Sequence, residues 1–458
     1  MNLVSKDLLS IQEARTLVAN AKKAQDAFSK FTQEQVDHLV ETLAKTVAQQ
    51  AEPLAQLAVA ETGFGNVADK TLKNIFASTY LAEKMRDMKT IGVLKKNPAD
   101  KTMDIAVPVG VVLGLIPSTN PTSTVIYKVL ISLKAGNAIV LSPHPSALDC
   151  IVKTTQILID AAEKAGAPPG LISCLTVMSK EGANTLLTHP DIALILATGG
   201  TPMVRAAYSS GNPAIGVGPG NSPVYIESSA DIEKAVKDIV TSKTFDNGVI
   251  CASEQAVIVE KHSDAAVRDA FKKNGGYFLT PEESQTLSKF LLRDNGSINP
   301  AIVGKDAQTL ANMVGITIPP DAKVLLSEQT DISHKNPYAR EKLAPILAYF
   351  IASSQEDALK KSCELLKVEG EGHTFSLHTK DDSLVEKASL IVPASRILVN
   401  SPGSLGGVGG TTNLFCSFTL GCGAMGGSST SDNVGPEHLY NIRKVAYGVR
   451  SLSDLKAS

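Results

Sequence analysis

The strongest constraint on the fold of this chain is an alternation of apolar runs and helical segments that begins near residue 109. The runs are rich in Val, Ile and Leu, and helical segments of roughly 15–25 residues separate them. Strands that are apolar on both faces and joined by helices are typical of a parallel sheet covered on both sides. The sequence therefore predicts an α/β fold, with strands at 109–116, 137–141, 171–177 and 192–197.

Polar and glycine-rich turns follow three of these predicted strands. Because ligands bind beyond the carboxyl ends of strands in open parallel sheets, these turns are candidate binding segments. Gly199 and Gly200 lack side chains, so the backbone and the next helix N-terminus can approach a pyrophosphate. The G-x-G-x-x-G fingerprint is absent, and a plain turn remains the alternative for an isolated Gly-Gly pair. The candidate residues are Ser118, Thr119, Ser142, Pro143, His144, Thr198, Gly199 and Gly200.

A glycine-rich turn at 216–221 precedes a strand and a helix, and after Cys251 the alternation resumes as a second α/β unit. We place the domain boundary at 243/244, so that residues 1–88 and 108–243 form one domain and residues 244–425 the other. A site is expected at the seam, where ligand sites tend to form, with the glycine-dense stretch 401–429 folded over it. The further predicted elements are strands at 224–226, 256–259, 323–326, 346–350 and 396–399 and a helix at 231–243.

The N-terminal region is predicted to be helical, with capping boxes that begin at Ser10 and Thr32. Its opening helix either docks on a partner, such as an enclosing protein shell, or packs on its own domain. Strands at 89–94 and 102–107 form a hairpin that is either an oligomer contact or an ordinary edge hairpin. We group 89–107 with 430–458 as a small oligomerisation element.

Cys251 lies between the flexible pair Asn247-Gly248 and the predicted strand 256–259. At such a junction a sulfur can be exposed and the backbone N–H of the same residue free to donate. Nucleophilic catalysis at a carbonyl uses both, a thiolate to attack and a donor for the oxyanion. A buried free cysteine in a core strand is the alternative, since free Cys is among the most buried residue types.

Composition and charge exclude several classes of protein. The formal net charge of −2 gives no electrostatic basis for binding nucleic acid or an anionic membrane surface. Neither a run of ~18 apolar residues nor a signal-peptide core is present, so we expect a cytoplasmic protein. The six cysteines are scattered and are expected to be thiols, and the eight histidines lack metal-binding spacing.

Eight segments, taken together and in this order, match one known family over nearly the whole chain, from about residue 22 to 446. The segments are 116–121 (IPSTNP), 142–145 (SPHP), 197–200 (ATGG), 216–221 (GVGPGN), 245–255 (FDNGVICASEQ), 341–345 (EKLAP), 372–374 (GHT) and 420–423 (LGCG). On these segments the chain resembles the aldehyde dehydrogenase superfamily, and within it the CoA-acylating branch of acetylating acetaldehyde dehydrogenases and N-terminal halves of bifunctional aldehyde-alcohol dehydrogenases.

The resemblance implies a Rossmann-type cofactor domain, a second α/β catalytic domain and roles for individual residues. Cys251 would attack the aldehyde to form a thiohemiacetal, and Asn120 would pair with the Cys251 N–H as the oxyanion hole. Hydride would pass to a nicotinamide whose ribose Glu341 holds, with Gly218 and Leu343 beside the cofactor. No lysine stands at 142–144, where many relatives hold the adenosine ribose with one, and its absence favours NAD over NADP.

One departure from the family pattern decides the expected reaction. Hydrolytic relatives carry a glutamate that activates water, whereas Val217 occupies about that position here. Without this general base the acyl group would persist on Cys251 until another nucleophile arrives, and the thiol of coenzyme A fits that role. His373 matches a histidine regarded as catalytic in acylating relatives; a structural histidine is the alternative. Cys422 is either near the site or a bystander thiol.

The sequence thus predicts the reversible reaction aldehyde + CoA + NAD⁺ = acyl-CoA + NADH + H⁺. Acetaldehyde is the default substrate, and propionaldehyde, succinate semialdehyde and sulfoacetaldehyde are the alternatives. A homodimer or dimer of dimers follows from family habit, and association with a bacterial microcompartment shell is what the docking alternative for the opening helix implies. A scaffold or shell cargo without turnover is the non-enzymatic alternative.

Overall fold

The computed structural model describes residues 5–456 and begins with a helical layer. Thr32 caps α2 through a capping box with Gln35, as predicted. The predicted helix start at Ser10 is wrong, because the hydroxyl of Ser5 accepts the Asp7 N–H and begins α1 one turn earlier. The helices are α1 (Lys6–Phe28), α2 (Gln33–Ala48), α3 (Ala51–Thr62), α4 (Val67–Ile75) and α5 (Leu81–Met85), with a π-helical turn at Phe76–Tyr80.

The first parallel sheet follows an antiparallel hairpin of β1 (Gly92–Asn97) and β2 (Thr102–Pro108). Its strand order is β5-β4-β3-β6-β7, so the chain reverses direction across the sheet between β3 and β6. The crevice at such a reversal is the usual ligand position in this architecture. The elements are β3 (Val111–Ile116), α6 (Pro121–Lys134), β4 (Ala138–Pro143), α7 (Leu148–Lys164), β5 (Ile172–Cys174), α8 (Lys180–Leu187), β6 (Ile192–Thr198), α9 (Thr201–Tyr208) and β7 (Ala214–Val217).

The second parallel sheet has seven strands in the order β10-β11-β12-β9-β8-β13-β14. Its elements are β8 (Ser222–Ile226), α10 (Ile232–Thr244), β9 (Glu254–Glu260), α11 (Asp264–Lys273), β10 (Gly276–Phe278), α12 (Pro281–Leu291), α13 (Ala307–Met313), β11 (Val324–Glu328), β12 (Ile346–Ala352), α14 (Gln355–Val368), β13 (Gly372–His378), α15 (Asp382–Ile391) and β14 (Ala394–Val399).

The change of sheet falls earlier than the sequence suggested. β8 pairs with β9 on one side and β13 on the other, so it belongs to the second sheet. The change therefore lies in the turn between β7 and β8, ahead of the expected boundary at 243/244. Backbone hydrogen bonds to β9 and β13 assign β8 to the second sheet, and the hydrophobic pattern of a strand does not show which strands it will pair with.

The C-terminal part connects the second sheet back to the hairpin. It contains α16 (Gly403–Gly407), β15 (Tyr440–Ala446) and α17 (Leu452–Lys456). β15 pairs with β2, giving a three-stranded antiparallel sheet of order β1-β2-β15. Among residues 5–456, no helix has the length and apolar character needed to cross a membrane.

Candidate active site

A cavity of about 390 Å³ opens at the carboxyl ends of β3 and β6, against the turn that carries Cys251. Most of the predicted site residues line it together, whereas Ser142, Pro143 and His373 do not. Its additional lining residues include Pro202, Met203, Phe418 and Leu420, which the sequence analysis did not single out. The predicted residues on its wall are Ser118, Thr119, Asn120, His144, Thr198, Gly199, Gly200, Gly218, Cys251, Glu341 and Leu343.

Cys251 lies in a turn directly before β9 and is half-buried. Upstream, Asp246, Asn247 and Gly248 all adopt left-handed backbone conformations, with φ of 49°, 53° and 81°. Such residues reverse the chain sharply, and Asn, Asp and Gly tolerate this region best. The Cys251 N–H donates to no acceptor within the described chain, so it is free to serve an oxyanion. Burial and the Glu341 carboxylate raise the pKa of the Cys251 thiol to about 12.

The side chain of Asn120 is held at both ends. Its Nδ2 donates to the carbonyl of Val249 at 3.0 Å, and its Oδ1 accepts from the ammonium of Lys73 at 2.6 Å. Asn120 precedes α6 without capping that helix through its side chain. Nδ2 also lies 3.5 Å from the Thr119 hydroxyl, and Asn120 lines the cavity that it shares with Cys251.

A buried ionic network below this wall was missed by the sequence analysis. Lys70 and Lys73 of α4 both pair with Oδ2 of Asp246, at 2.9 and 2.5 Å. Asp246 is fully buried, and the carboxylate also accepts the Asn66 N–H. Two lysines spaced three residues apart within a helix share one face, but this spacing alone indicates neither burial nor a partner.

Glu341 contributes the one carboxylate among the cavity-lining residues in the described part of the chain. Its Oε1 accepts the Gly220 N–H at 2.8 Å. Burial, followed by repulsion from Glu369, raises the pKa of Glu341 to about 8. Val217 also lines the cavity, which is consistent with the missing general base predicted at about that position.

His373 lies behind the cavity wall, at the start of β13, and is fully buried. Its Nδ1 is 2.9 Å from the Thr374 hydroxyl, while Nε2 has no partner among residues 5–456. Burial and the neighbouring Arg396 lower the pKa of His373 to about 3, so the imidazole is neutral. A Cβ built on Gly220 would lie 2.1 Å from the Cys251 carbonyl oxygen and 3.0 Å from Cε1 of His373. Gly220 therefore lies close to both the histidine and the cysteine turn.

Two other cavities adjoin the first. One, of about 280 Å³, is apolar and shares Ile250, Val408 and Phe418 with it. The other, of about 530 Å³, lies across Gly218 and is lined by Arg205 and Cys422 among others. Cys422 is buried beside Arg396, and burial raises the pKa of its thiol.

The three predicted residues at the end of β4, Ser142, Pro143 and His144, occupy different environments. Ser142 is buried and Pro143 completes β4, while the His144 side chain accepts the Ser146 N–H at 3.2 Å. Burial lowers the pKa of His144. Within the described residues no group of three His, Cys, Asp or Glu side chains is arranged to hold a metal ion.

The sequence has relatives among characterised proteins. It is 48% identical over 442 residues to the bifunctional aldehyde-alcohol dehydrogenase AdhE of Escherichia coli strain K12, covering 95% of this chain and 50% of that protein. The chain thus spans about half the length of this relative. It is also 36% identical over 439 residues to the succinate-semialdehyde dehydrogenase (acetylating) of Clostridium kluyveri, covering 96% of each.

Solved structures agree closely with the fold. A probable aldehyde dehydrogenase of Listeria monocytogenes EGD-e has a TM-score of 0.98 at 55% identity, covering 99% of this chain and 100% of that one. An acetylating aldehyde dehydrogenase of Geobacillus thermoglucosidasius has a TM-score of 0.97 at 49% identity, covering 98% and 99%. A propionaldehyde dehydrogenase of Rhodopseudomonas palustris, solved with CoA and an acylated cysteine, has a TM-score of 0.85 at 28% identity, covering 95% and 97%.

The family assignment rests on sequence and fold together. The aldehyde dehydrogenase family model matches residues 7–278, which is more than half of the chain. Both parallel sheets and the cavity between them agree with that match. The chain belongs to the aldehyde dehydrogenase family.

Proposed function

We propose that this chain catalyses the reversible CoA-acylating oxidation of a small aldehyde, with NAD⁺ as hydride acceptor. The observation that carries the proposal is the composition of the cavity wall. Cys251 and Asn120 share it with Val217, which stands at about the position where hydrolytic relatives carry the glutamate that activates water. A wall with a nucleophile and an amide donor, and without a carboxylate at that position, suits transfer to a thiol.

The residues of the chain account for the bond changes of the first step. The sulfur of Cys251 would bond to the carbonyl carbon as its thiol proton passes to solvent. The oxygen that becomes negative would accept hydrogen bonds from Asn120 Nδ2 and the Cys251 N–H. As the C=O bond forms again, that carbon gives up a hydride to the nicotinamide, which leaves a thioester on Cys251. In the second half of the reaction the sulfur of CoA takes the acyl group, the bond to Cys251 breaks, and the proton of the CoA thiol restores the thiol of Cys251.

The cavity fits a nicotinamide dinucleotide. Gly200 precedes α9 without a side-chain cap, leaving the helix N-terminus open to a phosphate, and Thr198 and Glu341 would face the riboses. The cofactor supplies the hydride acceptor. The cavity-lining residues of the described chain include neither Lys nor Arg, which favours NAD⁺ because the 2′-phosphate of NADP⁺ would lack a counter-charge. A KM for NADP⁺ at or below that for NAD⁺ would contradict this preference.

The apolar side cavity favours an uncharged aldehyde such as acetaldehyde. Its wall includes the rings of Phe76, Phe245 and Phe418 and one cation, Lys73. An ammonium has three N–H donors, and those of Lys73 are occupied by Asn120, Asp246 and the Val249 carbonyl. No cation among its described lining residues is therefore left for an anionic aldehyde.

Ranking aldehydes by kcat/KM tests the substrate proposal. Acetaldehyde and propionaldehyde should exceed succinate semialdehyde and sulfoacetaldehyde by at least about tenfold, because a charge left unpaired on burial is penalised by more than 1.4 kcal/mol. Equal or higher values for the anionic aldehydes would overturn it.

Stopped-flow measurement of NADH tests the reaction itself. Enzyme mixed with acetaldehyde and NAD⁺ should give a burst of up to one equivalent, and CoA should then start turnover. Cys251→Ala should give no burst. Continuous turnover without CoA would instead indicate a hydrolytic enzyme, and no aldehyde-dependent NADH under any condition would indicate a scaffold.

We also propose that His373 assists the CoA step by positioning the cysteine turn, because its ring lies beside Gly220, which packs against the Cys251 carbonyl, and its Nε2 has no partner among the described residues. His373→Ala should slow CoA-dependent turnover while leaving the NADH burst in place. His378→Ala is the matched control, since His378 is equally buried on β13 and its Nε2 is also unpartnered among the described residues. Equal losses in both variants would assign His373 a structural role.

A further inference from the structure

Lys73 is a buried cation whose three N–H donors all have partners close to the cysteine turn. It donates to Oδ1 of Asn120 at 2.6 Å, to Oδ2 of Asp246 at 2.5 Å and to the Val249 carbonyl at 3.2 Å. Its exposed fraction is 3%. The family resemblance implied no role for this lysine. In the proposed function it appears only as one of the residues that line the apolar side cavity.

The contact between Lys73 and Asn120 decides which atom of the amide faces the cavity. An ammonium has donors and no acceptor, so it can be satisfied only by the amide oxygen. Oδ1 is therefore held toward Lys73, and Nδ2 is turned the other way, where one of its two hydrogens reaches the Val249 carbonyl at 3.0 Å. A flipped amide would set an NH₂ group against a buried ammonium and lose both contacts.

The same cation also fixes the turn that carries the nucleophile. Val249 lies two residues before Cys251, and its carbonyl accepts from both Lys73 and Asn120. Asp246, in the left-handed part of the same turn, anchors the ammonium from the other side. One buried charge thereby ties α4, the β3–α6 turn and the cysteine turn into a single arrangement.

We propose that Lys73 is a positioning residue for the oxyanion formed when Cys251 attacks the aldehyde. It acts through Asn120, by holding the amide with its N–H donor toward the cavity and by polarising that donor with a nearby positive charge. The proposal rests on the proposed function, since it concerns the first step of that reaction.

Lys70 provides a matched control within the same helix. Its side chain is equally buried and pairs with the same Asp246 oxygen, but its other donor contact is to the Thr119 carbonyl at 2.9 Å rather than to Asn120. Lys70→Met and Lys73→Met therefore both remove a buried cation from one carboxylate. Only Lys73→Met also releases the amide.

The experiment measures the rate constant of the NADH burst at saturating acetaldehyde and NAD⁺. Loss of one oxyanion-hole donor lowers kcat by roughly 10²–10³-fold, so Asn120→Ala should lower the burst rate constant by a factor in that range. Lys73→Met should lower the same rate constant by about 10- to 100-fold. Lys70→Met should lower the burst rate constant by less than about threefold. In the Asn120→Ala background, adding Lys73→Met should change the rate by less than about threefold, because the amide on which Lys73 acts is gone.

Two kinetic results would overturn the inference. The first is an equal loss of burst rate in Lys70→Met and Lys73→Met, and the second is a double variant in which the Lys73 and Asn120 effects multiply in full. If Lys73→Met does not fold, Lys73→Gln is used in the same cycle with the same criteria. NAD⁺ affinity, measured by fluorescence titration, should remain within about threefold of the wild type in each folded variant, and a larger change confined to the Lys73 variants would also overturn it. Failure of the proposed function is distinct, since wild-type enzyme would then give no burst.

Discussion

Two buried groups of charges flank the cysteine turn, and they differ in how their charges are satisfied. The closed cluster, Lys70, Lys73 and Asp246, has a hydrogen-bonding partner for each charged group. The open cluster is Lys243, Glu254, Glu341 and Lys342. In it, Nζ of Lys243 and Oε2 of Glu254 have no partner within the described chain.

The difference shows two ways of tolerating charge in a protein interior. A buried charge must be paired or must shift its pKa toward neutrality. The closed cluster is paired, and burial lowers the pKa of Lys73 to about 8. In the open cluster, burial raises the pKa of Glu254 to about 7 and lowers that of Lys243 to about 7. The closed cluster is therefore suited to holding geometry, whereas the charges of Glu254 and Lys243 depend on pH near neutrality.

The largest expected effect breaks the closed cluster. Asp246→Ala leaves two buried lysines without their carboxylate and should destabilise the protein by about 3–5 kcal/mol. Asp246→Asn is the control, because it keeps the shape and the left-handed backbone preference and should be less damaging. Urea unfolding midpoints measure both; an Asp246→Ala midpoint equal to the wild type would contradict the idea that pairing stabilises this cluster.

An added methyl group tests the packing of Gly220 against the cysteine turn; the N–H of Gly220 binds Glu341 of the open cluster. In Gly220→Ala the new Cβ would lie 2.1 Å from the Cys251 carbonyl oxygen. Such overpacking should destabilise by about 1–3 kcal/mol and slow the NADH burst. Gly218→Ala, where nothing lies within 4 Å, should leave the melting temperature nearly unchanged. A burst as fast as that of the wild type in Gly220→Ala would show that the turn can shift to accommodate the added methyl group.

The pH dependence of stability tests the open cluster directly. Because the folded-state pKa of Glu254 is raised from 4.5 to about 7, the folded protein binds more protons than the unfolded chain between those values. The Glu254 contribution to stability is therefore present below pH 4.5 and lost as the pH rises through 7. Glu254→Gln removes this loss.

The measurement compares melting temperatures at pH 5 and pH 8. Relative to the wild type, Glu254→Gln should be more stable at pH 8 than at pH 5. Glu386→Gln, on the exposed surface of α15, serves as the control and should track the wild type. Parallel curves for Glu254→Gln and the wild type would contradict the assignment.

The smallest expected effect is that of Lys243→Met. Nζ of Lys243 has no partner to lose within the described residues, and methionine fills a similar apolar volume. The free energy of unfolding at pH 7 should change by less than about 1 kcal/mol, by urea denaturation. A loss of several kcal/mol would show that Lys243 is as firmly paired as Lys73.

Strands buried on both faces were predictable from the sequence because they are long apolar runs. β3, β4 and β6 lie within a few residues of their predicted bounds. β13 was missed because it buries polar residues, His373, Thr374 and Ser376, which resemble a loop in sequence. β10, with three residues, is too short for a period-2 pattern to register.

The candidate site was predictable to the extent that it depends on turns at strand ends. Those turns converge on one cavity, as a parallel sheet requires. The closed cluster was not predictable, since Lys70 and Lys73 occupy a helix whose lysines would ordinarily be solvated. Their partner Asp246 is far away in sequence, and only the tertiary fold brings them together.

The turn between the two parallel sheets, Gly218 to Asn221, contains two glycines, and Gly218 lines the cavity. An alanine scan identifies residues by deleting atoms, and neither glycine has a side chain to delete. The contribution of these two glycines will show only when atoms are added. In a library that samples every substitution across the cavity wall and this turn, the sharpest loss of active variants is therefore expected at Gly220. Small residues such as Ala and Ser would be lost there because they do not fit, and not because a reacting group has been removed.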